Sequence, residues 1–159
     1  MGYTHYWNFK KSPVEIENGT QMFKDAANLF KKGLSLIPPV ITKKELKWNS
    51  ELGDYDEKEV EYKFALAGPM GTGEPIITDT AVEFNGKDDD SYESCILSVH
   101  DDDSFNFCKT ARQPYDVAVC LALLCFKKVF GENFKYSSDG NGTEDGWVLA
   151  KKIFKKIAK

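Results

Sequence analysis

VAVCLALLCF, residues 117–126, is the stretch on which the fold turns. It is apolar on almost every side, which is the pattern of a helix enclosed all round by protein. Ten residues fall well short of the roughly 20 needed to cross a bilayer, so the segment reads as the central buried helix of a globular domain. Pro114 ahead of it fits a first helical turn, where a missing N–H is harmless, and Gly131 follows it.

Working outward, the residues just before that helix are FNFCKTARQPYD, 105–116. They set a thiol, Lys109, Arg112, Tyr115 and Asp116 at a strand-to-helix junction. Unpaired amides and the helix dipole favour an anion there, and Lys109 and Arg112 add two charges and a planar fork suited to phosphate or carboxylate. The plainer reading is that Arg112 pairs with Asp116 or an acidic loop and fixes the junction.

Residues 2–10 alternate, with Tyr3, His5, Trp7 and Phe9 on one side and Thr4, Tyr6 and Asn8 on the other, as in a strand. After the Asn18-Gly19 turn, Met22, Phe23, Ala26, Ala27 and Phe30 recur at helical spacing, and Gly33 behind two lysines reads as a stop. Residues 34–56, broken by Pro38-Pro39, carry no clear period beyond a short strand around Val40. Residues 62–67 and 76–84 read as strands across the loop GPMGTGEP (68–75). Residues 94–99 and 104–108 read as two more, joined through the acidic turn 100–103. Residues 133–137 make a short strand ending in SSDGNG. Thr143 then stands where it can cap a last helix whose Trp147, Ala150, Ile153, Phe154 and Ile157 face inward. The expected architecture is a single α+β domain over 1–159, a mostly antiparallel sheet with about three helices on one face.

With 159 residues, 42% of them hydrophobic and 29% charged, the chain is long enough to bury a core without disulfides or a structural metal. A net charge of −4 argues against general nucleic-acid coating, which needs a broad basic face, but leaves room for a local anion pocket. Cys95, Cys108, Cys120 and Cys125 show no CxxC spacing and lie in or beside apolar runs, which favours reduced, buried thiols. No signal core or membrane span is visible, so a cytoplasmic protein without a membrane partner is expected.

The remaining candidates are weaker. Tyr3, His5, Tyr6 and Trp7 offer rings and an imidazole for stacking or orienting a ligand, although such residues usually form core. GPMGTGEP lacks the Lys-Ser/Thr pair of a phosphate loop and reads as a hairpin or lid loop. Ser138 and Asp139 supply a hydroxyl and a carboxylate at a strand end, yet their neighbours are common turn formers. His100 beside Asp101, Asp102 and Asp103 reads as a solvated turn before a metal site. Nucleophilic catalysis has little support, since His5 and His100 are the only histidines and no Gly-x-Ser-x-Gly occurs. No cofactor and no metal ligand is expected.

Together, MGYTHYW at the start, FNG at 84–86, FCKTARQPYD at 107–116 and SSDG at 137–140 resemble a family of small, largely uncharacterised proteins of bacteria and their phages. The resemblance covers both ends and the middle of the chain and brings no established catalytic residues with it. It implies that the special positions lie in three motifs, 2–7, 109–115 and 137–140, able to form one pocket. The expected function is a non-catalytic binding protein for an anionic, nucleotide-like molecule, a phage-type sponge for a host defence signal, and a homo-oligomer. Lys109 and Arg112 would hold phosphates, Tyr3, Tyr6 and Trp7 would wall the ligand, and His5, Tyr115, Ser138 and Asp139 would orient it. The rivals are a phosphodiesterase or nucleotide hydrolase using His5, His100 or Asp139, and a module that blocks a host protein.

Overall fold

The apolar run forms the helix its pattern predicts. In the computed structural model, which describes residues 2–158, it lies in a helix (Asp116–Phe130) whose residues 117–123 are each at most 1% exposed. In chain order the strands are β1 (Thr4–Phe9), β2 (Val40–Asn49), β3 (Asp54–Lys63), β4 (Leu66–Ala67), β5 (Ile76–Ile77), β6 (Ala81–Gly86), β7 (Cys95–Ser98), β8 (Asn106–Lys109) and β9 (Phe134–Ser138). The helices are α1 (Gly19–Leu34), α2 (Asp116–Phe130) and α3 (Asp145–Ile157). The fold is α+β, and every strand pairing among the described residues is antiparallel.

Helix α2 is enclosed because α1 and α3 both pack on it. The α1 face toward it carries Phe23, Ala26, Ala27 and Phe30, and the α3 face carries Trp147, Ala150, Ile153 and Ile157, all buried. Each fully buried Val, Leu or Phe side chain contributes about 1.5–3 kcal/mol by leaving water, so this stack is the main source of stability. Gly33 is not a stop. It is the point where α1 presses on its neighbours, and a Cβ there would lie 2.7 Å from Leu121 Cδ2. The helix ends one residue later, where the Ser35 hydroxyl donates to the Lys32 carbonyl at 2.6 Å. Thr143 does not cap α3; its hydroxyl donates to Asn141 Oδ1 at 2.6 Å, and Glu144 takes the cap position.

The strands form three small sheets in place of the one expected. Strand β1 lies between β8 and β9, with Tyr3, His5, Trp7 and Phe9 all buried as the alternation requires. Strand β6 carries β4, β5 and β7. The anticipated hairpin between residues 94–99 and 104–108 does not form: β7 pairs with β6, and β8 with β1. The intervening turn is drawn across to β1, where the Asp102 carbonyl accepts the Phe9 amide at 3.1 Å.

The third sheet is a ten-residue-a-strand ribbon of β2 and β3, most of it built from residues that showed no clear period in the sequence. Its register sets Lys44 opposite Glu59, Glu45 opposite Lys58 and Lys47 opposite Asp56. Opposite charges facing across strands stabilise such a ribbon without a buried face, and the absence of that face removes the alternation that marks a strand. Its base is anchored by buried Ile41 and by the Lys44 amide, which donates to Asp145 at 2.7 Å. Its outer end carries the exposed pair Trp48 and Tyr55, rings 5.4 Å apart.

Candidate functional site

His5, the second residue of β1, is fully buried, with partners on both ring nitrogens. The β1–β9 register sets it opposite Ser138, whose Oγ is 2.6 Å from Nδ1. On the other side Nε2 is 2.6 Å from Oδ1 of Asp116, the first residue of α2. Asp116 Oδ1 also accepts from Thr110 Oγ1 at 2.5 Å, and Cys120 Sγ lies 3.6 Å from Oδ2. A carboxylate only accepts, so Nε2 carries the proton that bridges to Asp116 and Nδ1 is left to accept the Ser138 hydroxyl. Burial works against ionisation of Asp116, but the hydrogen bonds it accepts from His5, Thr110 and Cys120 together hold its carboxyl below the usual range. Helix α3 closes over this carboxylate at Gly146, where a Cβ would sit 2.3 Å from Oδ2.

A second network adjoins the first. The Tyr3 hydroxyl donates to Glu144 Oε1 at 2.8 Å and accepts from Trp147 Nε1 at 3.1 Å. Burial raises the Tyr3 hydroxyl well above the ordinary phenol value, and Glu144 adds to the rise. Arg112 lies over the Tyr3 ring at 4.4 Å from the centroid. Its position follows from the backbone: Ala111 and Arg112 have φ of 51° and 59°, left-handed values that cost non-glycine residues roughly 1 kcal/mol or more each. The Thr110 and Ala111 amides both donate to the Tyr3 carbonyl, at 3.0 and 3.2 Å, and hold this turn in place. Pro114 disfavours a helical Gln113, so α2 cannot begin before the turn is complete.

Two clefts flank these networks. The first, about 280 Å³, lies between the base of the β2–β3 ribbon and the starts of α2 and α3, and is lined by Ile41, Lys43, Arg112, Asp116, Glu144 and Leu149 among others. Lys43 Nζ donates to the Arg112 carbonyl across it, and burial pushes the Lys43 ammonium below its ordinary value. The second, about 230 Å³, is lined by Tyr136, Ser138, Gly140, Asn141, Gly142, Trp147 and Lys151. His5 therefore stands between two clefts, linked to one through Asp116 and to the other through Ser138.

The residues singled out from the sequence do not share one pocket. Arg112 lines the first cleft and Ser138 the second, while Tyr3 and His5 bond to residues that line them. Lys109 lines neither and stacks over Tyr92 at 5.6 Å. Trp7 is core, its indole nitrogen buried without a partner, and the buried Tyr115 donates its hydroxyl to the Glu93 carbonyl at 2.6 Å. Asp139 closes the edge of the sheet, accepting the Thr4 amide at 3.2 Å and the Tyr6 hydroxyl at 3.3 Å. Asp116 meets His5 and not Arg112, and Arg112 has no carboxylate ion pair among the described residues.

Asp116 enters the sequence reading only as a partner for Arg112, and Thr110 and Glu144 are not singled out there as site residues. The signal for Asp116 was present: a carboxylate opening a helix apolar on every side is a buried charge, and a buried charge requires a partner. Asn85 of the FNG motif is structural. Its amide donates to the Tyr92 carbonyl at 2.8 Å, and its Oδ1 accepts the Tyr92 amide at 2.9 Å.

Among the described residues, His5, Asp116 and Cys120 are the group whose donor atoms lie close enough for a metal. The 2.6 Å between Nε2 and Oδ1 is a direct hydrogen bond, which a metal would have to replace. The turn at His100 gathers no such group. There Asp101 accepts the Ser98 amide at 3.0 Å and Asp102 the Ser104 amide at 2.8 Å. All four cysteines are free and buried, and no helix among the described residues is long and apolar enough to cross a membrane.

Comparison of the chain with family models, curated proteins and solved structures finds no match.

Proposed function

We propose that this chain is a binding protein for a small anionic, nucleotide-like molecule, held in the cleft between the β2–β3 ribbon and the starts of α2 and α3. The observation that carries the reading is Arg112. Its exposed guanidinium is fixed over Tyr3 at 4.4 Å at the cleft wall and has no ion-pair partner among the described residues. The cleft's carboxylates, in contrast, are engaged: Asp116 by His5 and Thr110, Glu144 by Tyr3, Asp145 by the Lys44 amide, and Glu45 by Tyr62 and Lys47. The uncommitted charge is positive and planar, the form that grips phosphate or carboxylate in two places.

Glu144 Oε2 is buried without a donor, which supports a ligand that also carries an amine or amide N–H, as a nucleobase does. At about 280 Å³ the cleft suits a mononucleotide-sized group. The biological setting that fits is sequestration of a nucleotide signal in a host cytoplasm by a phage-type protein acting as an oligomer.

The test is thermal unfolding against cyclic dinucleotides, NAD-derived cyclic nucleotides and simple nucleotides, followed by chromatography of the ligand recovered after heating. A site filled at a hundredfold excess over the dissociation constant adds about 2.7 kcal/mol, a readable shift in melting temperature. A shift with the ligand returned intact, lost in Arg112→Ala, supports the reading. No shift across the panel sinks it.

The ribbon's outer end supports a second reading, a module that docks on a partner protein. Leu46, Trp48, Leu52 and Tyr55 are all at least 60% exposed there. A stoichiometric protein complex lost in Trp48→Ala, with no small molecule bound, would promote it over the first.

A further inference from the structure

The second cleft and the buried histidine behind it lie apart from the ligand site proposed at the first. We propose that Ser138, His5 and Asp116 form a hydrolytic centre that cleaves small carboxylic esters through an acyl-enzyme on Ser138.

Nucleophilic hydroxyl catalysis requires a hydroxyl open to substrate, a base within hydrogen-bond reach, and a third group that fixes the base's tautomer; it is recognised by these roles, not by chain order. Here Ser138 lines a cleft of about 230 Å³, Ser138 Oγ is 2.6 Å from His5 Nδ1, and His5 Nε2 is 2.6 Å from Asp116 Oδ1. The imidazole offers Nδ1 to the hydroxyl, and the bond from Nε2–H to a carboxylate leaves Nδ1 the free base. Thr110 supports the third group by donating to the same carboxylate oxygen, so Asp116 cannot swing away. The base is fully buried, and Ser138 is its partner on the side of the second cleft.

The step balances without a cofactor. Ser138 Oγ bonds to the acyl carbon as its proton passes to His5 Nδ1, and the positive imidazolium faces the Asp116 carboxylate. The bond to the leaving oxygen then breaks, and that oxygen takes the proton from Nδ1. Water repeats the sequence on the acyl-enzyme, releasing the carboxylic acid and restoring the Ser138 hydroxyl. Charge that develops on the carbonyl oxygen meets the loop after Ser138. Gly140 has a φ of 84°, and the Gly140 and Asn141 amides donate to no protein acceptor among the described residues.

The cleft also defines the substrate class. Tyr136 and Trp147 stack at 5.6 Å and give it an aromatic wall, with Lys151 Nζ 5.9 Å from the Trp147 ring centre. Lys151 is the single cation in the lining, too few for a transferring phosphoryl group but sufficient for the far carboxylate of a short ester.

Two probes test this on the full chain. A fluorophosphonate, whose P–F bond breaks as Ser138 Oγ bonds to phosphorus, should add one adduct by intact mass, mapped to Ser138. Mono-p-nitrophenyl succinate should release p-nitrophenolate faster than p-nitrophenyl acetate, with the preference reduced severalfold in Lys151→Ala. Ser138→Ala should lose both adduct and turnover while circular dichroism shows it still folded, and Ser137→Ala should keep both. Asp116→Asn, where folded, should lower turnover by about 100-fold or more through the wrong tautomer. If Asp116→Asn does not fold, Ser138→Ala alone decides. Turnover unaffected by Ser138→Ala, an adduct on another residue, or no adduct at all would overturn the proposal.

Discussion

His5 Nε2 and Asp116 Oδ1 meet at 2.6 Å, both buried, although they lie 111 positions apart along the chain. The contact pins the middle strand of one sheet to the first residue of the central helix, so the same bond organises both the core and the site. A charge in that position is tolerated only because it is paired. Removing the histidine strands that charge away from water, a change that typically costs about 3–5 kcal/mol.

Asp116→Ala leaves the buried Nε2–H and the Thr110 hydroxyl unpaired and should lower stability near neutral pH by about 1–3 kcal/mol, read from urea midpoints. The pH dependence follows from the carboxyl's lowered value. A carboxyl whose folded value is depressed contributes stability fully above its unfolded value, near 3.9, and loses it as pH falls through the folded one. The acid side of the stability curve should be shallower in Asp116→Asn than in the native chain. Identical slopes for the two would show that the pair does not contribute to acid unfolding.

Lys109 and Arg112, three positions apart, should separate cleanly. Arg112→Ala should reduce affinity for an anionic ligand at least tenfold in calorimetry, because a charge-assisted hydrogen bond contributes about 1.5–3 kcal/mol. Lys109→Ala should leave that affinity within about twofold, since Lys109 stacks on Tyr92 outside the cleft. Equal losses in the two variants would mean that ligand reaches both and that the cleft is misassigned.

Gly86→Ala should destabilise by about 2 kcal/mol through crowding. The added Cβ would lie 2.2 Å from the Asp90 carbonyl oxygen and 2.9 Å from Tyr115 Cδ1, and a backbone oxygen cannot step aside as a side-chain end can. Differential scanning calorimetry that finds the variant as stable as the native protein would show that the 88–90 turn is slack.

The four thiols should be silent in the native protein. Burial raises Cys108 and Cys125 to about 12 and pushes Cys95 and Cys120 well above the ordinary thiol value. Thiolate is the reactive form, so a disulfide-exchange reagent at pH 8 should find no fast cysteine until guanidinium is added, and then four. One fast thiol in the native state would mark a locally open segment.

What could be read from the residues depended on how deeply each segment is buried. Helix α2 is apolar all round, and α1, α3 and β1 each show one buried face, so their periods were plain. Most of the β2–β3 ribbon, beyond the short strand around Val40 and the strand from Tyr62, went unseen because its faces carry charges in place of an apolar alternation, and which charges oppose each other is known only from the register. Alternation located β7 and β8 but says nothing of partners, and the hairpin expected between them gave way to pairing with β6 and β1. The site divides in the same way. Arg112, His5 and Ser138 stood out as residue types in special places. That His5 joins Ser138 to Asp116 follows from the β1–β9 register and the start of α2, which exist only in three dimensions.

Strand β1 is synthesised before both of its neighbours, β8 and β9. On the ribosome both its edges stay unpaired until β8 has been made, and one edge until residue 138 has been made, with Trp7 and Phe9 incompletely covered. A growing chain in that condition is a natural client for a chaperone. Shortening it anywhere before β9 would leave a sticky strand with at least one edge unpaired, so truncated products should collect in inclusion bodies and be cleared by proteolysis, with no soluble fragment accumulating.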